Sequence, residues 1–237
     1  MQTVPSGKQI DRAGKILRKF ASGDLSELDL VKLGEAFDVL TDWRAAHAMP
    51  LQKATMGLRS RVSSSGCSVR IVSQRLKRVP TIIDKLRREP SMALSRMADI
   101  GGCRAILNSI EDVRRVQRRW EDTAGRVKRV KDYIESPRDS GYRAVHLIVQ
   151  YNDRSIEVQL RTRVMHEWAF TVETMTGRLG MDIKGGDGPP PVQDWFRAVS
   201  QAMAYEERDQ TVPAHLLHEI ATLRERAVPI LTGGGWQ

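Results

Sequence analysis

The chain has 237 residues, a net charge of +9 and an ordinary hydrophobic content of 41%, which indicates a globular protein rather than a disordered one. No stretch approaches the roughly 20 apolar residues that span a bilayer, and the polar N-terminus lacks the apolar core of a signal peptide. We therefore expect a cytoplasmic protein without membrane contact. Cys67 and Cys103 lie in apolar, strand-like sequence without metal-ligand spacing, so both are expected to be free and buried.

The positive charge is concentrated in the middle of the chain. Residues 61–163 contain 23 Lys and Arg against 12 Asp and Glu, whereas the remainder contains 15 against 17. A surface that serves only solubility would spread its charge. The concentration indicates a polyanionic partner: nucleotide phosphates, RNA or both.

The first part of the chain predicts helices. One apolar helical stripe begins at Ile10, and Ser26 with Asp29 resembles a capping box before a second stripe. A third helix is predicted to start near Pro50. We assign residues 1–65 to a helical N-terminal region whose stripes serve packing.

From Gly66 the pattern changes to strands alternating with helices. Strands are predicted over 67–73, 102–107, 126–133, 144–151 and 154–161. Helices are predicted over 80–88, 109–120 and 162–178. The fold class is therefore α+β, with a mixed, mostly antiparallel sheet of about five strands flanked by helices.

The domain boundaries follow from composition. The sheet and its helices form a core over 66–183, and the segment KGGDGPPP predicts a linker over 184–191. C-terminal helices and a loose tail occupy 192–237.

The predicted hairpin at 144–161 has one polar face. Because side chains alternate along a strand, the apolar Ile156 and Val158 face the core while Glu157, Gln159 and Arg161 share the other side. His146 of the partner strand joins them. These residues can line a catalytic surface, or they can form an ordinary solvated sheet face with cross-strand pairs.

A second acid, Asp99, precedes a Gly-Gly turn at the start of a predicted strand. Glycines let a backbone approach a ligand closely, although Asp-x-Gly turns are common. Two carboxylates suffice for Mg²⁺ when phosphate oxygens and water supply the other ligands. Asp99 and Glu157 together therefore predict a magnesium site.

Two further segments are rich in cations. The strand-to-helix junction from Arg75 to Arg88 suits a triphosphate, because cations there neutralise charge that moves toward a leaving group. The loop at 137–143 presents Tyr142 between Arg138 and Arg143. We expect an exposed tyrosine that stacks on a base; a tyrosine that fills the core is the alternative.

Four segments, taken together and in this order, resemble the synthetase domain of the RelA/SpoT family, which makes the alarmone ppGpp. They are RLKRVPTIIDKLRR, ADIGGCRAI, VKDYIESPRDSGYRAVH and IEVQLRTRVMHEWA. They extend from about Arg75 to Ala169. Departures from the family pattern are Arg138 in place of Lys, Thr81 and Ala144 in place of Ser, and Glu173-Thr174 in place of Glu-His.

The resemblance implies a nucleotidyltransferase-like synthetase fold and an ATP-dependent pyrophosphokinase. A ribose 3′-oxygen would attack the β-phosphorus of ATP, and AMP would leave. Asp99 and Glu157 would be catalytic and would hold Mg²⁺. The residues implied for ATP are Arg75, Lys77, Lys85 and Arg104. The residues implied for the acceptor are Lys131, Arg138, Tyr142, Arg143, His146, Gln159 and Arg161.

The length resembles that of small stand-alone synthetases, which use two kinds of acceptor. One group uses GDP or GTP; a toxic group, commonly paired with an antitoxin protein, modifies the 3′-terminal adenosine of tRNA. Basic residues outside the family motifs favour tRNA, because an acceptor stem offers many phosphates. They are Arg114, Arg115, Arg118, Arg119, Arg126, Lys128 and Arg129.

We therefore expect tRNA as the acceptor, with GDP or GTP as the alternative. The helix that carries four of the arginines could also be simply solvated. A non-catalytic RNA-binding module is an alternative of another class, and the intact Asp99 and Glu157 argue against it.

Overall fold

A computed structural model describes residues 4–24, 29–123, 125–179 and 183–233. Its helices are α1 Gly7–Ala21, α2 Leu30–Ala45, α3 Ala48–Ser64, α4 Val79–Arg88, α5 Ile110–Glu121, α6 Arg163–Leu179, α7 Pro190–Glu206 and α8 Ala214–Leu231. Its strands are β1 Val69–Leu76, β2 Gly101–Leu107, β3 Val127–Asp132, β4 Val145–Tyr151 and β5 Arg154–Thr162. Short 3-10 turns occupy Leu94–Arg96 and Ile183–Gly185.

The five strands form one sheet in the order β1-β2-β5-β4-β3. The central pair, β2 and β5, is parallel, and the other neighbours are antiparallel. The turn between β4 and β5 places Asn152 and Asp153 at φ 46° and 57°, which is the left-handed geometry of a two-residue hairpin. The predicted mixed, mostly antiparallel sheet and its hairpin are confirmed.

One face of the sheet is apolar and is covered by α3 and α5. Ile156, Val158 and Leu160 of β5 pack there with Leu58 of α3 and Val116 of α5, all fully buried. Ser109 accepts a hydrogen bond from Asp112 N at 3.1 Å and caps α5, whose predicted start is at residue 109. The opposite face of the sheet carries the polar residues.

The N-terminal helices form a separate apolar cluster with α4, centred on Leu17, Leu40 and Ile82. Asp29 is the N-cap of α2, where its side chain accepts from the amides of residues 31 and 32. Ser26, the other half of the predicted capping box, lies outside the described residues. By holding α4, this cluster fixes the helix that follows β1.

The C-terminal helices pack against the end of the polar face. A third cluster joins Trp168 of α6, Phe196 of α7 and Ala227 of α8 with Tyr142 and Ile183. The predicted linker at 184–191 contains the end of a 3-10 turn, and α7 begins at Pro190. The C-terminal region therefore shares an apolar core with the sheet-bearing part of the chain.

Cys103 is buried and Cys67 is half-buried, and both are free. Among the described residues, no helix combines the length and the apolar character that crossing a bilayer requires.

Candidate functional site

Strand register gathers four of the predicted residues into one row across the polar face. Arg104 lies opposite Gln159, Gln159 opposite His146, and His146 opposite Lys131. Directly opposite residues point to the same side of a sheet. Side chains from β2, β5, β4 and β3 therefore converge on one surface, although they are distant in sequence.

The neighbouring row contains Arg75, Gly102 and Glu157. A Cβ atom added at Gly102 would meet only the carbonyl oxygen of Glu157, at 3.6 Å. Because Gly102 has no side chain, the floor between the Arg75 guanidinium and the Glu157 carboxylate stays open. This gap is where a ligand could approach the backbone.

A closed set of hydrogen bonds, the Glu157 ring, surrounds the Glu157 carboxylate. Arg161 donates to the Tyr142 hydroxyl and to Gln159 Oε1, both at 2.8 Å. The Gln159 amide donates to Glu157 Oε2 at 2.6 Å, and His146 Nδ1 lies 3.0 Å from Glu157 Oε1. Tyr142 and His146 Nε2, 2.6 Å apart, complete the ring.

The direction of each bond in the ring follows from the ionised carboxylate. Burial by itself would raise the pKa of Glu157, but the hydrogen bonds from His146 and Gln159 outweigh it and lower the pKa. A carboxylate can only accept, so His146 donates through Nδ1 and accepts from the Tyr142 hydroxyl through Nε2. Burial lowers the pKa of His146 and keeps that imidazole neutral. Glu157 is thus a fixed negative charge.

Asp99 lies between two lysines, just before the start of β2. Lys77 and Lys85 contact its two carboxylate oxygens at 2.9 and 3.0 Å. Burial raises the pKa of Asp99, but the two ammonium groups more than offset it, so the pKa is lowered; the charge of Glu157 acts in the opposite direction. The charges of Asp99 and Glu157 therefore influence each other, while a metal ion shared by the two acids stays a prediction.

The carboxylates of Asp99 and Glu157 suit a magnesium ion whose remaining ligands come from the substrate. The described residues contain no group of three or more His, Cys, Asp or Glu side chains able to bind a metal alone. Asp99 and Glu157 supply two hard carboxylates, which suits an ion that takes its remaining ligands from phosphates and water. The role of these acids as metal ligands stays a prediction.

Buried donors without partners mark the same surface. Among the described residues, Arg104 Nε and Arg161 Nε are buried and have no hydrogen-bond partner. An unsatisfied buried donor costs free energy. Both arginines bring positive charge to the polar face, which an anionic ligand there would balance.

The expectation of an exposed Tyr142 is wrong. Its side chain is 0% exposed, packed near Trp168 with ring centroids 6.3 Å apart. Lys184 Nζ lies 4.7 Å from the Tyr142 ring centroid. Tertiary packing by α6 and the 183–185 turn covers the ring, which loop composition alone does not reveal. The half-buried Tyr133, under the exposed Arg138 guanidinium at 4.6 Å, is the more accessible aromatic residue.

Arg143 also differs from the expectation. It is buried and ion-paired with Glu207, just beyond the C-terminal end of α7. Burial lowers its pKa to about 10, so it remains charged at neutral pH. Because the guanidinium is directed at α7, it is not available to an acceptor in this structure.

The four arginines of α5 do not line the polar face. The helix α5 covers the apolar face of the sheet, whereas Glu157 lies on the polar face. The sheet therefore separates the outer surface of α5 from Glu157. Arg114 is ion-paired with Asp132 and Arg115 with Asp112, which neutralises two of the four α5 arginines. Arg118 and Arg119 are exposed; their role in binding tRNA stays a prediction.

The other residues predicted for tRNA differ in setting. Arg126 stacks over the Tyr151 ring at 4.2 Å and donates to Gln150 O, so its guanidinium is engaged. Lys128 lies at an irregularity of β3, and Arg129 is paired with Ile148 on the polar face. Of this set, Arg129 is the residue that register places beside the site.

One residue at the site carried no sequence signal. Lys184 pairs with Glu173 at 2.7 Å and lies over the Tyr142 ring. It comes from a Gly-rich segment that composition marks only as a linker, so no pattern could have identified it.

Part of the chain is similar to known proteins. Residues 74–175 match the model described as "Region found in RelA / SpoT proteins". The GTP pyrophosphokinases YjbM and YwaC of Bacillus subtilis are 33% and 31% identical over 119 and 125 residues. These alignments cover 44% and 46% of this chain, and 54% and 59% of the relatives, so the chain spans little more than half of their length.

Solved structures agree with the fold. The small alarmone synthetase 2 of Bacillus subtilis matches with a TM-score of 0.55 and 25% identity, covering 69% of this chain and 90% of that one. The small alarmone synthetase 1 matches with a TM-score of 0.59 and 22% identity, over 80% and 100% of the two chains. Residues 74–175 are therefore similar to the region found in RelA / SpoT proteins.

Proposed function

We propose that this protein is an ATP-dependent pyrophosphokinase that transfers the β,γ-pyrophosphate of ATP to a ribose 3′-hydroxyl. The observation that carries the proposal is the convergence of two ionised carboxylates, Asp99 and Glu157, on one polar sheet face beside lysines and unpartnered arginine donors. The names of the curated relatives support the same reaction.

The donor side holds the triphosphate. Arg75 is exposed at the end of β1, and Lys77 and Lys85 flank Asp99. Phosphoryl-type transfer depends on positioning and on neutralising charge that shifts toward the leaving AMP. When bound between Asp99 and Glu157, Mg²⁺ would supply further neutralisation at the phosphate oxygens.

The acceptor side orients the ribose hydroxyl. Two of the lone-pair sites of Glu157 are occupied by its ring partners, and the others can accept from a 3′-hydroxyl. Its lowered pKa makes it a better orienting group than a proton acceptor. As the ribose oxygen bonds to the β-phosphorus, the bond to the α-phosphate oxygen breaks, AMP leaves with that electron pair, and the hydroxyl proton passes to water.

A guanosine nucleotide, GDP or GTP, is the acceptor that we propose. The preference for tRNA rested on a continuous basic surface, but the α5 arginines lie behind the sheet and two of them are paired. The curated relatives are named for GTP. Arg129 and Lys131 remain on the polar face, and they are enough for a few phosphates rather than an acceptor stem.

The test is incubation with γ-labelled ATP and GDP, GTP or deacylated tRNA as separate acceptors. We expect label in the guanosine nucleotides, and at least about a 100-fold loss of rate in Glu157→Gln. Asp153→Asn, which changes an exposed acid in the turn of the same hairpin, is the matched control and should retain the wild-type rate.

Each other outcome has a definite meaning. Label in tRNA alone would replace the proposed acceptor by tRNA and would make an antitoxin partner the next object of search. Label in none of the acceptors, with RNA bound, would refute the enzyme and favour an RNA-binding module. Wild-type rates in Glu157→Gln would refute the role of the Glu157 ring.

A further inference from the structure

Glu207 lies outside residues 74–175, the matched family region, yet its carboxylate contacts residues next to the Glu157 ring. Glu207, which follows α7, bonds through one oxygen to Arg143 and through the other to the Thr162 hydroxyl. The Arg143 and Glu207 side chains are both 5% exposed. One acid therefore bridges two separate segments of the chain in a buried setting.

Both bridged residues adjoin the Glu157 ring. Arg143 follows Tyr142, and Thr162 follows Arg161. Tyr142 and Arg161 are both ring members, and Arg161 donates a hydrogen bond to the Tyr142 hydroxyl. Thr162 also accepts from the amide of Met165 and so fixes the start of α6. A shift of Glu207 would move both backbone segments that carry the ring.

The body of α7 supports the same loop at two more points. Ser200 donates to the carbonyl of Gly141 at 2.5 Å, and Arg197 donates through Nε to the carbonyl of Asp139 at 2.6 Å. Side chains of α7 thus bind the backbone carbonyls of the loop that precedes Tyr142. These contacts depend on geometry rather than on the identity of the loop side chains.

The energetics of a buried pair point to positioning. Desolvation offsets most of the attraction between buried charges, and an apolar pair of similar volume often stabilises a fold equally well. What an ion pair with a further hydroxyl bond adds is a defined direction. An apolar pair could stabilise the fold as well as Glu207 and Arg143 do. The directional contacts of Glu207 instead serve to hold Tyr142 and Arg161 in a fixed geometry.

We propose that Glu207 is a positioning residue for the acceptor, acting through Arg143 and Thr162 to keep the Glu157 ring closed. The inference rests on the proposed function, and it makes α7 part of the acceptor site. Lys77 and Lys85, which we assign to ATP, pair with Asp99 rather than with a member of the ring, so the KM for ATP should depend less on Glu207 than the KM for the acceptor.

The first test compares Glu207→Gln with Glu206→Gln, an exposed acid one residue earlier. Glu207→Gln should raise the KM for GDP about tenfold or more and leave the KM for ATP within about twofold. Glu206→Gln should change neither value. Equal effects of Glu207→Gln on the two KM values would overturn the inference.

Hydrogen exchange gives a readout that needs no activity. The amides of Arg138 and Gly141 are bonded within the loop, to Tyr142 O and Arg138 O. Peptides that cover 138–144 should exchange faster in Glu207→Gln than in the parent protein, while Glu206→Gln should match the parent. Unchanged exchange in Glu207→Gln would refute the positioning role.

A double variant separates folding from positioning. Arg143→Leu with Glu207→Leu removes both charges and should recover thermal stability relative to Glu207→Gln, because no buried charge is left unpaired. Its KM for GDP should nevertheless stay raised. Recovery of both stability and acceptor KM would show that the pair is only structural.

The two proposals fail in different ways. If the parent protein transfers no label, the proposed function fails, yet faster exchange in Glu207→Gln would still show that Glu207 orders the loop. If the parent transfers label and Glu207→Gln retains its KM for GDP, the positioning role alone fails.

Discussion

Replacement of Gly141 by alanine should destabilise the protein and weaken acceptor use. Gly141 has a φ of +86°, a region that costs an L-residue about 1–2 kcal/mol. A Cβ atom there would lie 3.0 Å from Arg197 Cα and 3.3 Å from the carbonyl oxygen of Phe196. Both atoms belong to the backbone of α7 and cannot rotate away.

The magnitude follows from three effects. The left-handed φ costs about 1–2 kcal/mol, and overpacking against fixed atoms costs about 1–3 kcal/mol. Alanine lowers the conformational entropy of the unfolded chain relative to glycine, which stabilises the folded protein by about 0.4–1 kcal/mol. We expect a net destabilisation of about 1–5 kcal/mol for Gly141→Ala.

Gly125 provides the matched control. Its φ is +69°, and a Cβ atom there meets nothing within 4 Å. Gly125→Ala should therefore carry the strain without the overpacking and cost about 1 kcal/mol. The difference between the two variants measures how closely α7 approaches the loop.

Urea unfolding of both variants and of the parent protein measures these free energies. The KM for GDP should rise in Gly141→Ala and stay unchanged in Gly125→Ala, since Tyr142 follows directly in the chain. Equal destabilisation of the two variants would refute the packing of α7 against this loop, and with it the basis for assigning α7 to the acceptor site.

Three further predictions concern single groups. Burial raises the pKa of Cys103 to about 12, so a disulfide reagent at pH 8 should modify Cys67 in the native protein and Cys103 only after unfolding; equal labelling rates would contradict this. The pKa of Asp99 is lowered, so its ion pairs stabilise the fold above the unfolded pKa of about 3.9 and are lost as pH falls through the folded value; Asp99→Asn should flatten the acid limb of the stability profile, and an unchanged limb would count against the pairs. Burial lowers the pKa of Lys184 to about 8, so after reductive ¹³C-methylation the resonance missing from Lys184→Met should titrate near that value, and titration with the bulk lysines would show that the ammonium is solvated.

The alternating residues of β5 show what local sequence can predict. The sequence predicts Ile156 and Val158 on the core side, and both are fully buried, while Glu157 and Gln159 share the polar face. A strand has a period of two, so the sides of its residues are fixed relative to one another wherever the strand is placed. The hairpin turn was equally local, because Asn and Asp tolerate positive φ.

Local sequence identified the two candidate acids, Asp99 and Glu157, but long-range contacts set the distance between them. The family motifs brought Asp99 and Glu157 to attention, but their mutual reach depends on the parallel pairing of β2 with β5. That pairing is a contact between segments about 55 residues apart in the sequence. Only the assembled sheet also places the side-chain-free Gly102 beside Glu157.

The tertiary structure alone decided which surfaces are covered. Tyr142 follows a Gly in a charged loop, a composition typical of exposed segments, yet α6 and the 183–185 turn bury it. The α5 arginines have helical spacing that is equally compatible with either side of the sheet. Spacing within an element determines which residues share a face, whereas the layer in which that face lies is set by packing against distant parts of the chain, and no short stretch of sequence contains that information.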